Sequence, residues 1–184
     1  MKNKATFIII ALFWLVIIAG FVGYKEYNLQ NGTDIILQTV PVDPYDLFRG
    51  DYVILSYSIS RMQVPNNTYE VGNTIYVALE EELPVGITRG VGVSTTAPNG
   101  QFIKGKIIDL QKTELKEKDN VLPQTFATIK YGIESYFVPE EKGIEVEKYR
   151  GNELTVRVSV NKRGESIIKD LLLNGEKVLF NSKQ

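Results

Sequence analysis

The chain has 184 residues and contains neither Cys nor His, with 21 Lys+Arg set against 22 Asp+Glu. Without imidazole or thiol it can build no Ser-His-Asp or Cys-His relay, no zinc site of the usual His/Cys kind, no haem or iron–sulfur ligation and no disulfide. The near-neutral balance also argues against a nucleic-acid binder, which needs a clear excess of positive charge on one face.

The first predicted element is a membrane anchor. Ala5 to Tyr24 runs for 20 residues without a charged side chain. At about 1.5 Å rise per residue this spans roughly 30 Å, the thickness of a bilayer hydrocarbon core. Lys2 and Lys4 precede the run, so the positive-inside tendency places the N-terminus in the cytoplasm and everything after Lys25 outside. A cleaved signal peptide shares the basic start and apolar centre, but this run is long for one and no clean A-x-A site follows it. The expectation is a single-pass protein of the cell membrane, with an anchor over residues 1–24 inserted through residues 5–24 and one extracytoplasmic domain over residues 25–184. With Lys2 and Lys4 set aside, that domain carries 19 basic against 22 acidic residues, a mildly acidic balance that disfavours a surface for anionic lipid.

Beyond the anchor the prevailing signal is alternation of period two. From Asp51 to Ile59, Val53, Leu55, Tyr57 and Ile59 share one face and Ser56 and Ser58 the other, as in a half-buried strand. Thr74 to Leu79 repeats the pattern with Ile75, Val77 and Leu79 inward, and Phe102 to Ile108 is a further β-rich run. Leu110 to Leu122 is densely charged and reads as a solvated hairpin end or loop. Phe126 to Tyr131 and Ile133 to Val138 return to β character. Pro139 to Tyr149 has the marks of a short helix, with Pro139 in its first turn, Glu140 and Glu141 near its positive end and Gly151 beyond it. Glu153 to Val160 alternates again, with Leu154, Val156, Val158 and Val160 inward. The last predicted element is a hairpin in which Leu171–Leu173 and Lys177–Phe180 flank Asn174-Gly175, the pair that most readily forms a type I′ turn. The expected fold is mainly β, an antiparallel barrel or sandwich of short strands with one short helix, preceded by the transmembrane helix.

The most specific segment runs from Val42 to Tyr57. Asp43-Pro44 and Arg49-Gly50-Asp51 favour turns, and the chain then enters a strand. Gly50, Asp51, Tyr52, Leu55 and Tyr57 match the signature of the GDYXXLXY proteins, and Asp43-Pro44, Asp46-Leu47 and Arg49 are similar to that family's lead-in. Tyr131 to Glu140 resembles its second recurring block. The family is a bacterial group of membrane-anchored proteins of unknown function, encoded beside a polytopic membrane protein, so the resemblance implies an integral membrane protein as partner.

Asp43-Pro44, Leu47 and Gly50-Asp51-Tyr52-Val53 are also similar to the segment around the nucleophile of type I signal peptidases, anchored enzymes that pair a Ser nucleophile with a Lys base. That alignment puts Pro41 and Val42 where the Ser and the residue after it should stand. Lys104 and Lys106 can mimic the base, but Pro41 cannot attack a carbonyl.

Asp46, Asp51, Glu134 and Glu140 offer carboxylates for a general acid and base pair or a hard-cation site. The structural alternative, which is preferred, has Asp51 capping its turn, Arg49 pairing with Asp46 or Glu134, and Glu140 opening a helix. Tyr45, Tyr52, Tyr57, Tyr131 and Tyr136 fall in or beside the two blocks, either as strand residues packed against a core or as the lining of a binding surface. The candidate site residues are therefore Asp46, Arg49, Asp51, Tyr52, Tyr57, Tyr131, Glu134, Tyr136 and Glu140, with no cofactor or metal expected. A binding or accessory domain is the first expectation. The alternatives are a carboxylate-dependent hydrolase of envelope polymers, a signal-peptidase-like Ser/Lys protease relative and a simple spacer domain.

Overall fold

The computed structural model describes residues 2–41, 52–84, 86–117, 120–138 and 154–178. Helix α1 runs Lys2–Asn31. Its segment Thr6–Tyr24 has a mean hydropathy of 2.7 and no buried residue. A helix that is apolar all round and left exposed by its own chain is suited to lipid, so this is a membrane-spanning anchor or a signal sequence. The helix continues for about two turns past the apolar run and reaches β1 (Thr33–Val40) through the single residue Gly32. A Cβ on Gly32 would lie 2.1 Å from Ser159 Oγ and 3.1 Å from the Val160 backbone. Only glycine allows the helix to meet the sheet that closely.

The rest is β-structure. The strands are β2 (Tyr52–Ile54), β3 (Ser56–Tyr57), β4 (Arg61–Val64), β5 (Thr74–Glu82), β6 (Ile87–Ser94), β7 (Phe102–Glu117), β8 (Asn120–Lys130), β9 (Ser135–Phe137), β10 (Leu154–Val160), β11 (Ser166–Leu173) and β12 (Glu176–Lys177). One ten-stranded sheet has the order β12-β11-β10-β1-β6-β5-β7-β8-β4, with β3 also paired to β1, and β2 and β9 form a separate ribbon. The ladders are antiparallel except between β1 and β6, which run parallel at Leu37 and Thr88.

A sheet this wide must curl to hide its apolar face. One core accordingly collects Leu171 from β11, Val156 from β10, Leu37 from β1, Ile75 from β5, Ile103 from β7 and Val64 from β4. The end strands β12 and β4 do not pair, so the sheet is sandwich-like and open, which corrects the barrel alternative. Alternation reports which face is buried and carries no information on whether the edges meet. Most strands are short, as expected, and β7 is the longest of the described strands with 16 residues. The charged stretch read as a hairpin end or loop is the far part of the β7–β8 hairpin, laddered as far as Glu117 and Asn120.

The inward residues were read correctly at Ile75, Val77, Leu79, Leu154, Val156, Val158 and Val160. So were Val53, Leu55, Tyr57 and Ile59, although the run from Asp51 to Ile59 is not one strand. Tyr52 to Ile54 pairs with β9, Ser56 and Tyr57 pair with β1, and a 3-10 turn follows at Ser58–Ser60. The hydrogen-bonding partner changes at Leu55, and the side-chain alternation carries through the change. At the C-terminal hairpin, Asn174 and Gly175 have φ of 50° and 85°, as a type I′ turn requires. The predicted helix over Pro139 to Tyr149 lies outside the described residues.

Candidate functional site

The two sequence blocks that carry the family resemblance meet in space. Tyr52, Val53 and Ile54 of β2 stand opposite Phe137, Tyr136 and Ser135 of β9. The Leu55 amide then donates to the Glu134 carbonyl at 2.8 Å. Beyond this ribbon, two tyrosines tie the blocks together. The Tyr57 hydroxyl donates to the Ile133 carbonyl at 2.5 Å, and the Tyr131 hydroxyl donates to the Ile59 carbonyl at 2.6 Å.

Both phenols are held far above their ordinary pKa, chiefly because burial disfavours the phenolate and secondly because the Glu134 carboxylate is near. Each is therefore a permanent O–H donor to a backbone carbonyl. Neither can act as a base at physiological pH.

Glu134 is also committed to the backbone. Its Oε1 accepts from the Tyr131 amide at 2.5 Å and its Oε2 from the Gly132 amide at 3.0 Å. Gly132 has φ of 83°, a conformation in which glycine is free of strain. The carboxylate thus closes the turn that aims the Tyr131 side chain into the core, instead of facing a cavity.

The remaining aromatics divide by strand alternation. Val53 is buried and its cross-strand neighbour Tyr136 packs partly against the core. Tyr52 and Phe137, one position along each strand, point outward and are 52% and 58% exposed. Their rings meet edge to face with centroids 5.5 Å apart and an interplanar angle of 73°. The sequence reading named Tyr52 as a candidate and missed Phe137, whose role depends on standing opposite Tyr52 across the ribbon. Asp46, Arg49, Asp51 and Glu140 lie outside the described residues. Among the described residues no group of three or more acidic side chains is placed to hold a metal ion.

Of the nine candidates, the structure brings Tyr52, Tyr57, Tyr131, Glu134 and Tyr136 into one locality. It gives Tyr57, Tyr131 and Glu134 to the architecture and leaves Tyr52, with Phe137, as an outward aromatic surface. Rings held at fixed geometry with their faces in water are suited to recognition, since they bury a large area at little conformational cost.

A family model described as GDYXXLXY protein matches residues 14–171. No curated protein matches the chain, and no solved structure does.

Proposed function

This chain belongs to the GDYXXLXY protein family, and we propose that it is a membrane-anchored extracytoplasmic accessory domain that binds a polytopic membrane protein. The exposed Tyr52–Phe137 pair carries this reading. It sits on the ribbon where the two blocks join, and the buried residues of those blocks hold that ribbon in place. Lys2 and Lys4 before the apolar run support a cytoplasmic N-terminus. The close junction of α1 and the sheet at Gly32 supports a domain held near the bilayer, within reach of a membrane-embedded partner.

The test uses the tagged full-length protein, recovered by affinity from detergent-solubilised native membranes. A polytopic membrane protein should co-purify with the wild type and be reduced on the order of tenfold in the Tyr52→Ser/Phe137→Ser variant, as expected when central aromatic contacts are lost. Co-purification unchanged in a variant that keeps its unfolding midpoint would move the binding surface elsewhere.

A further inference from the structure

Next to Tyr131 and Gly132, the end of the apolar segment of α1 faces the sheet across a cleft of about 520 Å³. Phe21 and Tyr24 line one wall, and Lys104, Lys106 and Lys130 lie on the other. The lysines are brought together by the sheet. Lys106 and Lys130 are direct cross-strand partners in the β7–β8 ladder. Lys104 lies two residues before Lys106, hence on the same face of β7. Gly105 between them points inward, where a Cβ would come 2.5 Å from Ile129 Cγ2 and 3.0 Å from the Tyr131 ring. The exposed lysines are therefore backed by tightly packed core.

The cleft is closed at one end by the β10–β11 turn. The Lys104 amide donates to the Gly164 carbonyl at 2.8 Å, which docks this turn on β7. The Asn161 side chain donates to Glu165 Oε2 at 2.9 Å, and the Tyr24 hydroxyl donates to the same oxygen at 3.2 Å. The Asn161 bond above all, against the opposing effect of desolvation and with help from the Tyr24 bond and the nearby Arg163 and Lys104, holds the Glu165 carboxyl below its usual range. Glu165 is thus engaged at the edge of the cleft. Among the described residues no carboxylate lies within ion-pair distance of Lys106 or Lys130. Like charges placed directly opposite on a sheet repel, so the arrangement favours an added anion.

Its position specifies which anion. Tyr24 is the last residue of the apolar span, and a Tyr at that point sits at headgroup level. The lysines share a cleft with Tyr24, so they lie at the same depth, where the phosphates of lipids are found. We propose that Lys104, Lys106 and Lys130 form a binding site for the phosphate of an anionic phospholipid headgroup, which seats the β-domain on the leaflet from which α1 emerges. A domain that is mildly acidic on average thereby presents a local cationic face to the membrane.

The full-length chain, purified in neutral detergent, is incubated with equal amounts of phosphatidylglycerol and phosphatidylcholine, and retained lipids are counted by native mass spectrometry. Phosphatidylglycerol should be retained in preference by on the order of tenfold or more, given the attraction of each basic side chain near a membrane surface. The preference should fall with added salt. It should be lost in Lys104→Gln/Lys106→Gln/Lys130→Gln and reduced in Lys106→Gln alone, an exposed change that leaves the core intact. Equal retention of the two lipids by the wild type, or a preference unchanged in these variants, would overturn the site. Displacement of phosphatidylglycerol by inorganic phosphate in equimolar amounts would assign the cleft to a soluble anion and overturn the lipid assignment.

Discussion

Tyr57 and Tyr131 exchange anchorage. Tyr57 donates to the carbonyl two residues beyond Tyr131, at Ile133, and Tyr131 donates to the carbonyl two residues beyond Tyr57, at Ile59. The two hydroxyls, both buried, fasten the same pair of chain segments from opposite sides. Each phenol places its ring in the core and its one polar atom on a carbonyl that would otherwise be buried without a partner.

Tyr57→Phe and Tyr131→Phe should each destabilise the domain by about 1–3 kcal/mol, the cost of leaving a buried carbonyl unsatisfied. The double substitution should cost less than the sum of the two, because the first loss already loosens the segment that the second bond holds. Denaturant unfolding of the four proteins in detergent gives the coupling directly. Strict additivity would show the two bonds to be independent.

Stability should fall on the alkaline side. Burial raises both phenol pKa values above that of the unfolded chain, near 10, so the folded state keeps protons that the unfolded state has released. Their contribution is fully present below about pH 10 and is lost progressively above it, by up to about 1.4 kcal/mol per pH unit for each tyrosine. Unfolding measured from pH 8 upward should show this slope, and Tyr57→Phe should remove about half of it. Phenolate absorbance from the two residues should rise only as the protein unfolds.

Glu134→Gln should destabilise by about 1–3 kcal/mol, since Gln can accept from one of the two amides at Tyr131 and Gly132 but turns its own NH2 toward the other. Thermal unfolding is the measurement. A fully stable Glu134→Gln protein would return the carboxylate to the list of candidate functional groups.

Gly105→Ala should destabilise by about 1–3 kcal/mol through overpacking against Ile129 and the Tyr131 ring. Gly92→Ala, on β6, meets no atom within 4 Å and should stay within about 0.5 kcal/mol of the wild type. The pair separates a packing requirement from a general intolerance of Ala in these strands.

Much of the β-domain was legible because its signals are local. Asn174-Gly175 specifies its turn through the φ angles of two adjacent residues. The inward set Val53, Leu55, Tyr57 and Ile59 follows from period two alone. The same pattern could not reveal that this run serves two ladders, because partner choice at Leu55 depends on β1 and β9, which are distant in sequence. Within the candidate site, the two blocks were identifiable as a unit, and their shared aromatics pointed to the right locality. The division of labour within it was not legible. Tyr52 and Tyr57 are both tyrosines of one motif, and only their opposite directions on the pleat make one a surface group and the other an anchor.

The lysine cluster shows the same limit in electrostatics. Composition gave residues 25–184 a slight acidic excess and pointed away from a lipid surface. Charge counts average over the whole exterior, whereas attraction to an anion depends on the few charges within a Debye length of it. Lys130 joins Lys104 and Lys106 only through the β7–β8 register, and all three meet Tyr24 only because the sheet folds back beside α1.

By itself, the sequence determined what depends on neighbours in the chain: an apolar helix long enough to span a membrane, a mainly β fold with its buried faces, the C-terminal turn and the family signature. The tertiary structure decided what depends on residues brought together from afar. It left the sheet open, paired the two signature blocks, committed Tyr57, Tyr131 and Glu134 to backbone partners, and set three lysines beside the end of the apolar segment. The physical reason is that side-chain periodicity is a property of one strand, whereas register, closure and charge clustering are properties of pairs of strands.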